Sequence, residues 1–250
     1  MASVSARGLG PLAEVRAGDD LAQLIAATPL GAQLHDGQLV VIAHKAVSKS
    51  EGAVAALTDI VPSERARELA GAERDARAVQ VVLDESAEIL RAERGVLICR
   101  THHGFVCANA GVDASNSADA GTLVLLPRDP DGSARRIRAR LREITGAVVG
   151  VLITDSFGRA WRNGQSDVAI GLAGMQPLED WRGRADARGL ELRATWIAVA
   201  DAAAAIADLA RAKDSREPVV VLEGLERHMT AEDGPGATQL LRALDEDLFR

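Results

Sequence analysis

The chain is short of aromatic residues: three Phe, three Trp and no Tyr among 250 residues. A groove that grips single-stranded nucleic acid by stacking its bases has almost nothing to be made from. The core must be built from Val, Leu, Ile and Ala instead. Lysine is nearly as scarce. Of 29 basic residues, only Lys45, Lys49 and Lys213 are lysines. With a formal net charge of -7, the basic face of a nucleic-acid binder is not expected. None of the three lysines follows a glycine, which excludes the Gly-Lys pair of a Walker A loop. Two cysteines cannot form a disulfide framework. No apolar run approaches the roughly 18 residues that cross a bilayer, and the opening MASVSARGLGPLAEV has no apolar stretch of secretory type. The expectations are no nucleic acid, no membrane and a cytoplasmic location.

What is present is an apolar fraction of 47% against 26% charged residues, enough for a large core and against bulk disorder. Short apolar runs of strand type occur at 39–43, 123–126, 147–154, 195–200 and 218–222. Helices are expected after Asp19-Asp20, over 63–79, over 133–145 and in the Ala-rich stretch capped by Asp201. The pattern GVLICR-THH-GFVCA at 95–108 predicts a β-hairpin, and PRDPDG at 127–132 predicts a turn. Residues 155–189 show no period, and the tail after Thr230 reads as acidic and helix-like. Interleaved helices and strands with a hairpin point to an α+β class with mixed sheets and flanking helices. No clean linker divides the chain, and a boundary can be drawn only near 128–133 or within 155–189.

Three clusters can carry chemistry. Cys99, His102, His103 and Cys107 place soft ligands around the hairpin turn, in reach of zinc, although alternation sends adjacent histidines to opposite faces. Asp113 and Asn116 lie in AGVDASNS, which fits a ligand pair as well as an Asx-turn or helix cap. Asp155 and Ser156 follow the longest apolar strand, a frequent place for a metal or phosphate ligand. Asp113 with Asp155 suits a hard divalent cation that keeps water and phosphate oxygens. Lys45, Lys49, Arg159 and Arg162 can offset phosphate charge. Residues 159–167 read as a binding loop or an ordinary surface loop.

Four stretches together resemble one family, the coenzyme F420-0:L-glutamate ligases or γ-glutamyl ligases. They are LAEVRAGDDL at 12–21, VVIAHKAVSKSEG at 40–52, HGFVCANAGVDASN at 103–116 and ITDSFGRAWRNGQSD at 153–167. The closing DLFR looks like bacterial, standalone members without a fused nitroreductase-like domain. The resemblance implies one ligase unit of two intertwined subdomains, without an assignable boundary, forming a homodimer. It implies GTP-dependent amide formation between the carboxylate of coenzyme F420-0 and L-glutamate through an acyl phosphate, then further γ-linked glutamates. It places Leu12, Ala13, Glu14, Val15, His44, Lys45, Lys49, Asn116 and Lys213 at the nucleotide. Asp113, Asp155 and Ser156 would hold one or two divalent ions, Mg or Mn, with a monovalent K ion as a further implied requirement. Lys45, Lys49 and Arg159 would act on the phosphoryl group.

Two departures stand out. His44 replaces a Ser or Thr of relatives, and Arg211-Ala-Lys213 replaces a Met-Gly-Gln segment whose glutamine is a metal ligand. Two other readings use the same residues: a metal-dependent phosphotransferase or hydrolase on another phosphorylated metabolite, and a non-catalytic nucleotide- or deazaflavin-binding protein.

Overall fold

Along Leu39–Ala43 every second side chain faces the same way. Val40 and Ile42 enter one core and Leu39 and Val41 another. A strand apolar on both faces must be covered on both faces, and that requirement organises the chain. The computed structural model describes residues 3–114, 121–212 and 215–247.

The strands are β1 (Ser5–Gly8), β2 (Leu39–Ala43), β3 (Val54–Ala56), β4 (Ser86–Glu93), β5 (Val96–Thr101), β6 (Val106–Ala108), β7 (Thr122–Val124), β8 (Gly150–Arg159), β9 (Arg162–Ala173), β10 (Leu178–Asp180), β11 (Trp196–Ala198) and β12 (Val219–Glu223). The helices are α1 (Leu21–Ala26), α2 (His44–Ser50), α3 (Glu64–Ala70), α4 (Ala76–Asp84), α5 (Pro130–Thr145) and α6 (Val199–Ala210).

The principal sheet runs β1-β12-β2-β8-β9. Only its β2–β8 pair is parallel; the other three pairs are antiparallel. Helices α1 and α5 cover one face through Ile25 and Leu141, which meet Val40, Ile42, Val151 and Ile153. Helix α6 covers the other through Ala203, Ala204 and Ala207, against Leu39, Val41 and Leu152. Its small side chains let the helix lie close to the sheet. Each fully buried Leu or Ile in these layers contributes about 1.5–3 kcal/mol of transfer free energy. A three-stranded sheet, β4-β5-β6, packs on α3 and α4 around Leu97, Cys99 and Val79. Two small two-stranded sheets, β3-β7 and β10-β11, complete a mixed α+β architecture. Among the described residues no helix is long and apolar enough to cross a membrane.

Several local expectations need correction. The single helix over 63–79 is two, because Gly71 at φ +57 ends α3 and Asp75 caps α4. The turn at 127–132 belongs to α5: Asp129 accepts Gly132 N–H as N-cap and Pro130 takes the first helical position. Asp201 does not cap α6 but sits in its first turn, where it accepts Ala169 N–H of β9, and burial raises its carboxyl pKa. The apolar stretch 147–154 becomes strand only at Gly150, and 195–200 only over β11. The tail forms two 3-10 turns, Ala237–Leu240 and Leu244–Glu246. Within 155–189, β8 continues to Arg159 and β9 returns from Arg162, so the aperiodic loop is a long hairpin.

Candidate functional site

The parallel pair β2–β8 creates the site. β2 stops at Ala43, level with Thr154 of β8, and the chain turns into α2, while β8 continues for five more residues. This offset at the carboxyl ends of parallel strands opens a crevice. The cavity there measures about 640 Å³. The segment 12–15 forms one wall, held to the opposite strand entry by Leu12 N–H donating to the Arg216 carbonyl at 3.2 Å. His44, Lys45 and Lys49 project from α2, and Thr154, Asp155 and Ser156 from β8. Asp167 of β9, Arg211 after α6 and residues 216–218 close the remainder.

Ion pairs organise this crevice. Lys49 Nζ lies 2.5 Å from Glu14 Oε1, tying α2 to the 12–15 wall. Lys45 Nζ lies 2.5 Å from Asp113 Oδ2. Asp113 itself is fixed by a two-way backbone bridge to Val124 of β7. Arg211 Nη2 lies 2.9 Å from Asp167 Oδ2, and both side chains are buried. Burial lowers the Arg211 pKa below its usual value, and Asp167 opposes the shift. Lining the cavity are four cations, Lys45, Lys49, Arg211 and Arg216, and four carboxylates, Glu14, Asp155, Asp167 and Glu217. A balanced wall suits an anionic ligand that brings its own cation.

Every sequence-expected residue has a definite place, except two. Leu12, Ala13, Glu14, Val15, His44, Lys45, Lys49, Asp155 and Ser156 meet around the cavity. Asp113 reaches it through Lys45. Asn116 and Lys213 lie outside the described residues. Arg159 does not line the cavity: it sits at the end of β8 and donates to the Asn163 carbonyl at 2.6 Å, closing the hairpin end. His44 is buried, with Nδ1 3.3 Å from Ser48 Oγ and Nε2 3.2 Å from Asp155 Oδ1, the latter without hydrogen-bond alignment. It therefore faces a carboxylate.

The zinc constellation separates. Cys99 and Cys107 do pair across β5–β6, and both are buried. The histidines turn elsewhere: His102 Nε2 meets the Asp84 carbonyl at 3.0 Å and His103 Nε2 the Pro127 carbonyl at 2.9 Å. Burial pushes the Cys107 thiol up to about 12.

The sequence alone assigns no site role to Thr154, Asp167 or Arg211. Asp167 stands directly across from Ser156 in the hairpin register. It accepts from Ser156 Oγ at 2.6 Å, Thr154 Oγ1 at 2.8 Å and Arg211 Nη2 at 2.9 Å. Recognising the hairpin was the missing step, since pairing alone places Asp167 against Ser156.

The donor set also decides what cation could sit here. Among the described residues no three His, Cys, Asp or Glu side chains converge on one point, so a closed cage for a stored ion is not built. One or two carboxylates plus a hydroxyl, completed by water and phosphate oxygens, is the usual Mg²⁺ arrangement. The residues fit a hard cation that arrives with phosphate.

The fold and crevice define a class: an α+β protein with a charged, ion-paired ligand cavity at parallel strand ends. Residues 11–224 match the model of the F420-0:Gamma-glutamyl ligase family. The chain is 44% identical over 240 residues to the coenzyme F420:L-glutamate ligase of Methanopyrus kandleri, covering 95% of this chain and 94% of that one. It is 42% identical over 251 residues to that of Methanothermobacter thermautotrophicus, covering 99% of each. To that of Methanocaldococcus jannaschii it is 41% identical over 233 residues, covering 92% and 90%. The chain belongs to the F420-0:γ-glutamyl ligase family and is a ligase. These relatives are archaeal and lend no support to a bacterial type.

Proposed function

We propose that this ligase joins the amine of L-glutamate to the carboxylate of coenzyme F420-0, with GTP supplying the activation, and then extends the product by γ-linked glutamates. The observation that carries the reading is the convergence of 12–15, 44–49 and 154–156, distant in sequence, on one cavity. The names of the full-length relatives support the substrate pair.

A carboxylate is a poor acyl donor. Transfer of the GTP γ-phosphoryl group to one of its oxygens releases GDP and leaves an acyl phosphate. The glutamate amine then attacks the acyl carbon, inorganic phosphate leaves, and the amine loses a proton as the amide forms. This chain's residues act chiefly on charge and position. Lys45 and Lys49 exchange their partners Asp113 and Glu14 for phosphate oxygens. Asp113, Asp155 and Ser156 would hold the divalent cation, Mg or Mn, with a second divalent ion and K as further requirements of the reading. When bound, the cation withdraws charge from the phosphoryl oxygens. His44 packs beside Asp155, whose Oδ1 accepts Ser156 N–H at 2.8 Å. Arg159 at the hairpin end would meet the acidic substrate away from the nucleotide, and a second copy would complete a homodimer.

The test is the coupling of GDP release to both acceptor substrates. GDP forms quickly only when F420-0 and glutamate are both present. GDP release indifferent to glutamate would instead mark a phosphotransferase or hydrolase, and none at all a binding protein.

A further inference from the structure

We infer that Asp167 is a positioning residue that fixes the Ser156 hydroxyl as a pure acceptor toward a divalent cation; this rests on the cation-assisted reading above. A hydroxyl has one proton. Ser156 gives its proton to Asp167 Oδ1 at 2.6 Å, a length typical of a charge-assisted bond. Whatever else Ser156 Oγ meets, it meets through its lone pairs. An ionised phosphate oxygen offers only acceptors and gains nothing there; a cation gains a ligand. Asp167 thus turns the Ser156 lone pairs toward positive charge.

The geometry shows why this arrangement persists. Asp167 is held on three sides, by Ser156, by Thr154 Oγ1 at 2.8 Å and by Arg211 Nη2 at 2.9 Å. Arg211 is anchored in turn by donating to the Pro218 carbonyl at 3.2 Å. These three donors engage both oxygens of the carboxylate where it stands in the cavity wall. A buried ion pair that only stapled the end of α6 to β9 would have no need of a serine at position 156. Outer partners of this kind typically change metal affinity 10- to 100-fold.

The experiment measures Mn²⁺ affinity of the whole chain, with GDP present, from the free-Mn²⁺ signal in electron paramagnetic resonance, beside a thermal melt. Asp167→Asn is expected to weaken Mn²⁺ binding by about 10-fold or more while the protein remains folded. Ser156→Ala should weaken it similarly, and the double variant should show little further loss, because Asp167 acts through Ser156. Wild-type Mn²⁺ affinity in Asp167→Asn, or fully additive losses, would overturn the inference and leave the proposed function standing. Wild-type protein that binds no Mn²⁺ would overturn both. If Asp167→Asn does not fold, Ser156→Ala carries the test, since it keeps the Arg211–Asp167 pair; unchanged Mn²⁺ affinity there overturns the inference.

Discussion

Replacing Arg211 by Ala isolates the electrostatics of the cavity floor. The Arg211 and Asp167 side chains keep only 9% and 5% of their exposure. Breaking a buried pair by removing one partner typically costs about 3–5 kcal/mol, mostly as an uncompensated charge. Here two hydroxyls still donate to Asp167, and the adjoining cavity admits water. The lower end, about 3 kcal/mol, is therefore expected. Unfolding entropy of roughly 2.1 cal/mol/K per residue gives about 0.5 kcal/mol/K for this length, so the midpoint should fall by about 6 °C. Circular dichroism at neutral pH reads it directly. The double change Arg211→Ala, Asp167→Asn removes the stranded charge and should recover at least half of the loss. A fall under about 2 °C for the single variant, or a double variant less stable than the single, would show that Arg211 does not compensate a buried Asp167 charge.

Other expectations follow from separate parts of the molecule. The Cys107 thiol, raised to about 12 from an ordinary value of 9.0, keeps its proton in the folded chain after the unfolded chain has lost it. Its stabilisation is complete below pH 9 and falls by about 1.4 kcal/mol per pH unit from there towards 12; Cys107→Ala should flatten that slope in alkaline urea titrations. Gly171 of β9 lies against the start of α5, where an added Cβ would sit 2.4 Å from the Pro130 carbonyl oxygen. Gly171→Ala should therefore cost more than about 1 kcal/mol, and a wild-type midpoint would contradict this packing. Lys49→Ala should raise the GTP concentration needed for half-maximal turnover by about 10-fold, one charge-assisted contact; an unchanged requirement removes Lys49 from the phosphates.

Much of this architecture is legible in the amino-acid sequence. LVVIA and PVVVL are compact apolar runs bounded by polar residues, and both became central strands. Asp20 announced α1 because its carboxylate accepts Gln23 N–H. The β8–β9 hairpin was hidden for a physical reason. Its distal half leaves the core, so Ser156 to Arg162 lose apolar alternation. Its two-residue turn is Ala160-Trp161, with Trp161 at φ +58, where Asn-Gly or Gly would ordinarily give the signal. The site divides in the same way. Lys45, Lys49 and Asp155 sit next to recognisable elements, and their convergence was readable. Thr154, Asp167 and Arg211 form a unit only through strand register and the end of α6, which no local pattern encodes. His44 was seen as a departure, but its contact with Asp155 depends on how far β8 outruns β2.

The most direct test of the account is mass spectrometry of the deazaflavin after incubation of the pure protein with F420-0, L-glutamate, GTP and a Mg²⁺/Mn²⁺ mixture. The expected result is a ladder of products, each heavier than the last by one glutamyl residue, that needs all components. Unaltered F420-0, under conditions where the protein is folded and binds Mn²⁺ with GDP, would contradict it.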